Sequence, residues 1–200
     1  MCLTPYNDRE HTQLKGVPSM LKNVLFVACG LLISSAAVAQ EYGALVGVHQ
    51  TTADTDQDGL TVDGKLGFKL GLAVAFDLTD TGKFRTGLLY NQRHFEISAT
   101  GVSVDAKYDW IDIPALYQHK FTDMFSAYGG LVIGLNVSDK TDPDVGDVEI
   151  ESMIPLIEVG ANLMFDDMMG FDFYYQRGLG DISEGYMDYS TFGANFLYWF

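Results

Sequence analysis

The chain has 200 residues, 48% of them hydrophobic, two cysteines and a formal net charge of −15. That length suits one domain, and the acidic balance argues against nucleic acid, whose phosphates are bound through basic patches. No stretch of the body offers the roughly 20 apolar residues that a membrane-spanning helix needs, so any crossing of a bilayer falls to strands.

Residues 1–19 are polar and aperiodic, and read as an upstream extension ahead of a start at Met20. From Met20 the pattern is that of a secretory signal. Lys22 supplies positive charge, Val24 to Ile33 form an apolar core, and Ala37-Val38-Ala39 is a small-residue cleavage site. A lipoprotein built on Cys29 is the weaker alternative, since cleavage there would leave an apolar tail. Residues 20–39 are therefore expected to be removed, leaving 40–200 as the working domain. Cys2 and Cys29 both precede it, and a cysteine-free exported chain avoids stray disulfides.

Within 40–200 the dominant signal is alternation with period two, the mark of β-strands. The first predicted strand, Glu41 to Thr51, puts Tyr42, Ala44, Val46 and Val48 on one face. After a polar loop, Thr52 to Asp63, the second puts Leu66, Phe68, Leu70, Leu72, Val74 and Phe76 opposite Lys65, Gly67, Lys69, Gly71, Ala73 and Ala75. Large apolar residues facing small and charged ones suit a strand with lipid outside and a crowded polar interior. A short turn, 79–82, leads to the third strand, Lys83 to Ile97, and the loop SATGVSVDA leads to the fourth, Lys107 to Phe121. Pro114 cannot donate to a ladder, so a bulge is expected there. The fifth strand is Phe125 to Val137. The sixth follows a long acidic loop and ends IPLIEVGANLMF, the seventh is GFDFYYQRGL, and the eighth, Tyr189 to Phe200, alternates aromatics to the final residue. Connections one, three, five and seven are expected to be long, and two, four and six short, which matches barrels with periplasmic turns and external loops.

Three stretches carry a family resemblance: WIDIPALYQHKF followed by AYGGLVIGL, DFYYQRGLGDIS, and the terminal aromatic strand. Together they resemble the outer-membrane protein beta-barrel domain family, akin to OmpX- and OmpA-type barrels. The resemblance implies an all-β fold, an eight-stranded antiparallel up-and-down transmembrane β-barrel in the cell outer membrane of a Gram-negative cell. It implies that Phe196, Tyr198 and Phe200 are read by the barrel assembly machinery. It also implies a monomer in contact with outer-membrane lipid and lipopolysaccharide.

An eight-stranded barrel has an interior just wide enough for side chains to fill. The facing of the strands puts Lys69, Arg85, Arg93, Glu158 and Asp172 inside, with Asn91, Asn162, Tyr174 and Gln176. Buried charges have to be paired, so these residues read either as a static plug or as a gate in which Arg93 or Lys69 re-pairs with Glu158. In the first loop, Asp54, Asp56, Asp58 and Gly59 open like a calcium loop. Its twelfth position is Lys65 rather than Glu, so only a weak Ca²⁺ site that borrows Asp63 is expected, and no other cofactor. The histidines are His49, His94 and His119. None lies in the last two strands and no G-x-S-x-G occurs, so no catalytic site is expected. The reading is a structural or surface-interacting barrel. The alternatives are a narrow pore or carrier for small solutes and, behind them, a lipid-modifying or proteolytic barrel enzyme.

Overall fold

The computed structural model describes residues 40–54, 60–99, 102–142, 152–179 and 188–200. The strands are β1 (Gln40–Asp54), β2 (Leu60–Gly64), β3 (Leu66–Asp77), β4 (Gly82–Ala99), β5 (Val102–Lys120), β6 (Phe125–Asp142), β7 (Met153–Met164), β8 (Met169–Gly178) and β9 (Asp188–Trp199). All ladders are antiparallel. The ring runs β4-β3-β1-β9-β8-β7-β6-β5 and closes through the pairing of β4 with β5. It is an eight-stranded antiparallel up-and-down barrel with no free edge among the ring strands. No helix among the described residues is long and apolar enough to cross a membrane.

The alternation read from the sequence is what closes the ring. On β3, Leu66 and Leu72 are 73% and 62% exposed on the outside, whereas Lys69 between them is 1% exposed inside. Exposed Val46, Leu70, Leu131, Val159, Phe173 and Phe192 continue the apolar belt around the wall. A belt of that extent belongs in hydrocarbon, not water. At the short-turn end it is edged by aromatic pairs: Phe76 with Phe84, Phe121 with Phe125, Phe165 with Phe171, and Tyr198 with Phe200. Towards the other end, Phe68 packs on Tyr90 at 5.5 Å.

Three local expectations change. First, Pro114 causes no bulge: it stays in register opposite Val132, and β5 keeps its facing through it. The register shift falls earlier, where Asp109 pairs with Ser138 and Trp110 with Asn136, so Val137 is the extra residue. Second, the expected long loop SATGVSVDA is mostly strand. Ser98 pairs with Ser103 and Ala99 with Val102, their ladder reinforced by a 2.9 Å bond between the two serine hydroxyls. Third, the first loop contains β2, whose residues Leu60 to Gly64 pair with the top of β4. Lys65 interrupts the run from β2 into β3, so these two elements form one barrel strand with a bulge.

Above the ring, Lys65 Nζ joins Glu96 at 2.7 Å and Asp105 at 2.5 Å. Its hydrogen bonds hold both carboxyls below their usual range. The contribution of this trio is therefore present at neutral pH and fades as pH falls through the lowered carboxylate range. At the opposite end, Lys120 bonds to Asp123 across its turn at 2.8 Å.

Candidate functional site

The strand facings converge on the lumen, where the charged side chains meet. Lys69, Arg85, Arg93, Glu158 and Asp172 are all buried there, with Asn91, Asn162, Tyr174 and Gln176.

Asp172 on β8 is the hub of the layer nearer the short turns. Its carboxylate accepts from Tyr128 Oη at 2.6 Å, from Asn162 Nδ2 and Asn195 Nδ2 at 3.1 Å each, and from Arg85 Nη2 at 3.5 Å. The Arg85 guanidinium lies 4.1 Å over the Tyr128 ring, which fixes its plane. Below this layer an apolar seal of Leu45, Ala73, Ala75, Leu89, Leu197 and Trp199 closes the lumen. Gly43 is part of that closure, since a Cβ there would sit 2.5 Å from the Trp199 ring. Under the seal is a polar vestibule of about 250 Å³ between Glu41, Lys83, Gln118 and Lys120.

Glu158 on β7 links the two halves. It accepts from Gln176 Nε2 at 2.5 Å and lies 3.6 Å from Lys69 Nζ and 4.0 Å from Arg85. Lys69 also stands 3.7 Å over the Tyr174 ring. Gly193 admits that ring, because a Cβ there would meet it at 2.6 Å and His49 Cβ at 2.7 Å.

The upper layer is built on Asp112, which the facing argument had left out. Its carboxylate receives Arg93 Nη2 at 3.1 and 3.0 Å, Asn91 Nδ2 at 2.7 Å and Gln176 Nε2 at 3.5 Å. Arg93 is held between the rings of Trp110 and Tyr189, at 5.1 and 5.3 Å. It therefore pairs with Asp112 and not with Glu158. The signal for Asp112 was present in WIDIPAL: Ile111 and Ile113 alternate as an outer apolar pair, which turns Asp112 inward.

The other predicted residues are dispersed. Asp56 and Asp58 lie outside the described residues. Asp54 ends β1, paired in the ladder with Asp188, and Asp63 is exposed on β2 opposite Glu96. Among the described residues no cluster of His, Cys, Asp or Glu is placed to hold a metal. His49 points into the lumen, where neither ring nitrogen has a hydrogen-bond partner. His94 lies 3.7 Å from Asp105, and His119 packs on Phe121 at 4.8 Å. Phe196, Tyr198 and Phe200 line the outer wall of β9 and its end. The backbone N–H of Phe200 donates to Tyr42, so the terminal residue is tied to β1.

The comparisons with known proteins agree with this architecture. The model of the outer membrane protein beta-barrel domain matches residues 24–200. Ail, the attachment invasion locus protein of Yersinia pestis, solved with the heparin analogue sucrose octasulfate, superposes with a TM-score of 0.50 at 16% identity. That match covers 80% of this chain and 99% of Ail. Neisserial surface protein A superposes with a TM-score of 0.56 at 13% identity, covering 81% of this chain and 99% of its own. A search of curated proteins finds no match. At these identities the likeness to solved structures speaks for the fold, while the family match spans the barrel and beyond. The chain belongs to the outer-membrane β-barrel domain family and is an eight-stranded barrel of the Gram-negative outer membrane.

Proposed function

We propose that this barrel acts through its lipid-embedded wall and its outward surface, as a structural or surface-interacting protein, and neither conducts solutes nor catalyses a reaction. The observation that supports this reading is the filled lumen. Hydrogen bonds and ion pairs run from Gln118 and Ser126 at the vestibule, through Asn162, Asp172, Arg85, Glu158 and Gln176, to Asp112 and Arg93. The apolar seal crosses the same lumen at the turn end. The histidines support the non-catalytic part, because they sit in three separate environments, inside, above and outside the wall. The barrel works as a monomer in lipid and lipopolysaccharide, and its terminal aromatics Phe196, Tyr198 and Phe200 present it to the assembly machinery.

Ail was solved with a sulfated sugar. The formal charge of −15 on this chain opposes the same class of ligand, so its surface partners are neutral, cationic or bridged by divalent ions.

Planar bilayers test the closed lumen. The expected record is a flat baseline after insertion of the folded protein. Discrete conductance steps that vanish in Glu158→Gln would instead establish a pore gated by the central carboxylate.

A further inference from the structure

The two halves of the lumen differ in how completely their polar atoms are paired. In the layer built on Asp172, Asn195 Oδ1 is the one buried side-chain atom without a partner among the described residues. Around Arg93 there are many: Arg93 Nε and Nη1, Trp110 Nε1, the hydroxyls of Tyr174 and Tyr189, and both nitrogens of His49. Arg93 and Trp110 are fully buried, so no bulk water reaches them. Buried polar groups in native proteins are almost always satisfied, and a local concentration of exceptions calls for a bound species.

The chemistry of these atoms selects it. Guanidinium and indole N–H groups only donate. The unpaired acceptors nearby are Asn91 Oδ1 and Gln176 Oε1. Donors outnumber acceptors, which favours a species that only accepts. Asp112 occupies a single edge of Arg93, through Nη2, and leaves the other two nitrogens facing the indole and phenol groups that clamp it. Charge sets one further condition. Among the described residues the lumen buries three fixed cations (Lys69, Arg85 and Arg93) and three carboxylates (Asp112, Glu158 and Asp172). An added anion therefore needs an added proton. His49 is the side chain there that gains charge near neutral pH. Its charged neighbours are Lys69 on β3, Arg93 on β4 and Asp112 on β5; β8 brings Tyr174, and β9 brings Gly193 and Thr191.

We propose that the half of the lumen around Arg93, Trp110, Tyr189 and His49 binds a small monovalent anion together with a proton, as a blind site reached from the cell exterior. The hydrogen-bonded layer on Asp172 and the apolar seal below it bar the periplasmic route.

The chain has two tryptophans, Trp110 in the site and Trp199 in the seal, so the indole N–H resonances report both places. The protein is extracted from the membrane into detergent micelles and titrated with chloride at constant ionic strength, with gluconate as the balancing anion. The expected result is a saturable shift of the Trp110 resonance alone, with chloride affinity falling about tenfold for each pH unit gained once His49 is neutral in the free site. In Arg93→Gln/Asp112→Asn, which removes both charges together, the Trp110 shift is expected to vanish while the Trp199 resonance stays at its folded position. A Trp110 resonance that ignores chloride, or that responds equally at every pH, would overturn the proposal and leave a chamber that holds water only.

Discussion

Replacing Asp172 by alanine is expected to cost the folded barrel about 3–5 kcal/mol, the usual penalty for removing one partner of a buried ion pair. Four side chains from four strands donate to this carboxylate: Arg85 on β4, Tyr128 on β6, Asn162 on β7 and Asn195 on β9. Alanine leaves a buried guanidinium facing donors and no acceptor strong enough to balance it. Glu158, at 4.0 Å from Arg85, is already shared with Lys69 and Gln176. Asparagine at 172 keeps the shape and one acceptor oxygen, so Asp172→Asn is expected to fall between wild type and alanine. Urea titration of the protein refolded into lipid vesicles measures the effect as a lowered midpoint. An unchanged midpoint for Asp172→Ala would mean that the network fills space without holding the strands together.

The second large effect is a coupling. Arg93→Met and Asp112→Leu are each expected to cost about 3–5 kcal/mol alone, since each strands the other's charge at a site with no exposure. The double variant is expected to cost less than their sum by about 2–3 kcal/mol, the range for directly contacting partners. The residual cost is real, because Asn91 and Gln176 also donate to Asp112 and lose their acceptor with it. The same urea titration closes the cycle. Strict additivity would show that the two side chains do not pair in the folded barrel, against the 3.0 Å contact between them.

The barrel was legible because its two solvents differ. Lipid outside and a narrow polar lumen inside force strict alternation, and Leu66 to Phe76 shows it without ambiguity. Facing followed from parity wherever one face was uniformly apolar. It was harder on β5, where Trp110, Asp112, Pro114 and Leu116 mix types on the inner face, so Asp112 escaped notice and its pairing with Arg93 could not be anticipated. Pro114 misled for a related reason. A missing N–H removes one donor but need not shift register, and the extra residue went to Val137 on the neighbouring strand. Loop lengths were overestimated where polar residues pair in a ladder beyond the membrane. There Ser98 and Ser103 gain a cross-strand hydroxyl bond, and β2 gains β4 as a partner. Polar composition marks exposure to water; it does not by itself mark absence of strand. Pairing distances inside the lumen depend on which rings and glycines meet, such as Tyr174 against Gly193, and such contacts between distant segments leave no trace in a local pattern.

The central claim is that residues 40–200 form a closed membrane barrel. Electrophoretic mobility in cold detergent, before and after boiling, tests it most directly. The account predicts a folded band that persists in detergent, shifts on boiling, and carries a β-rich circular dichroism spectrum before the shift. A protein that is soluble without detergent and migrates identically before and after boiling would contradict it.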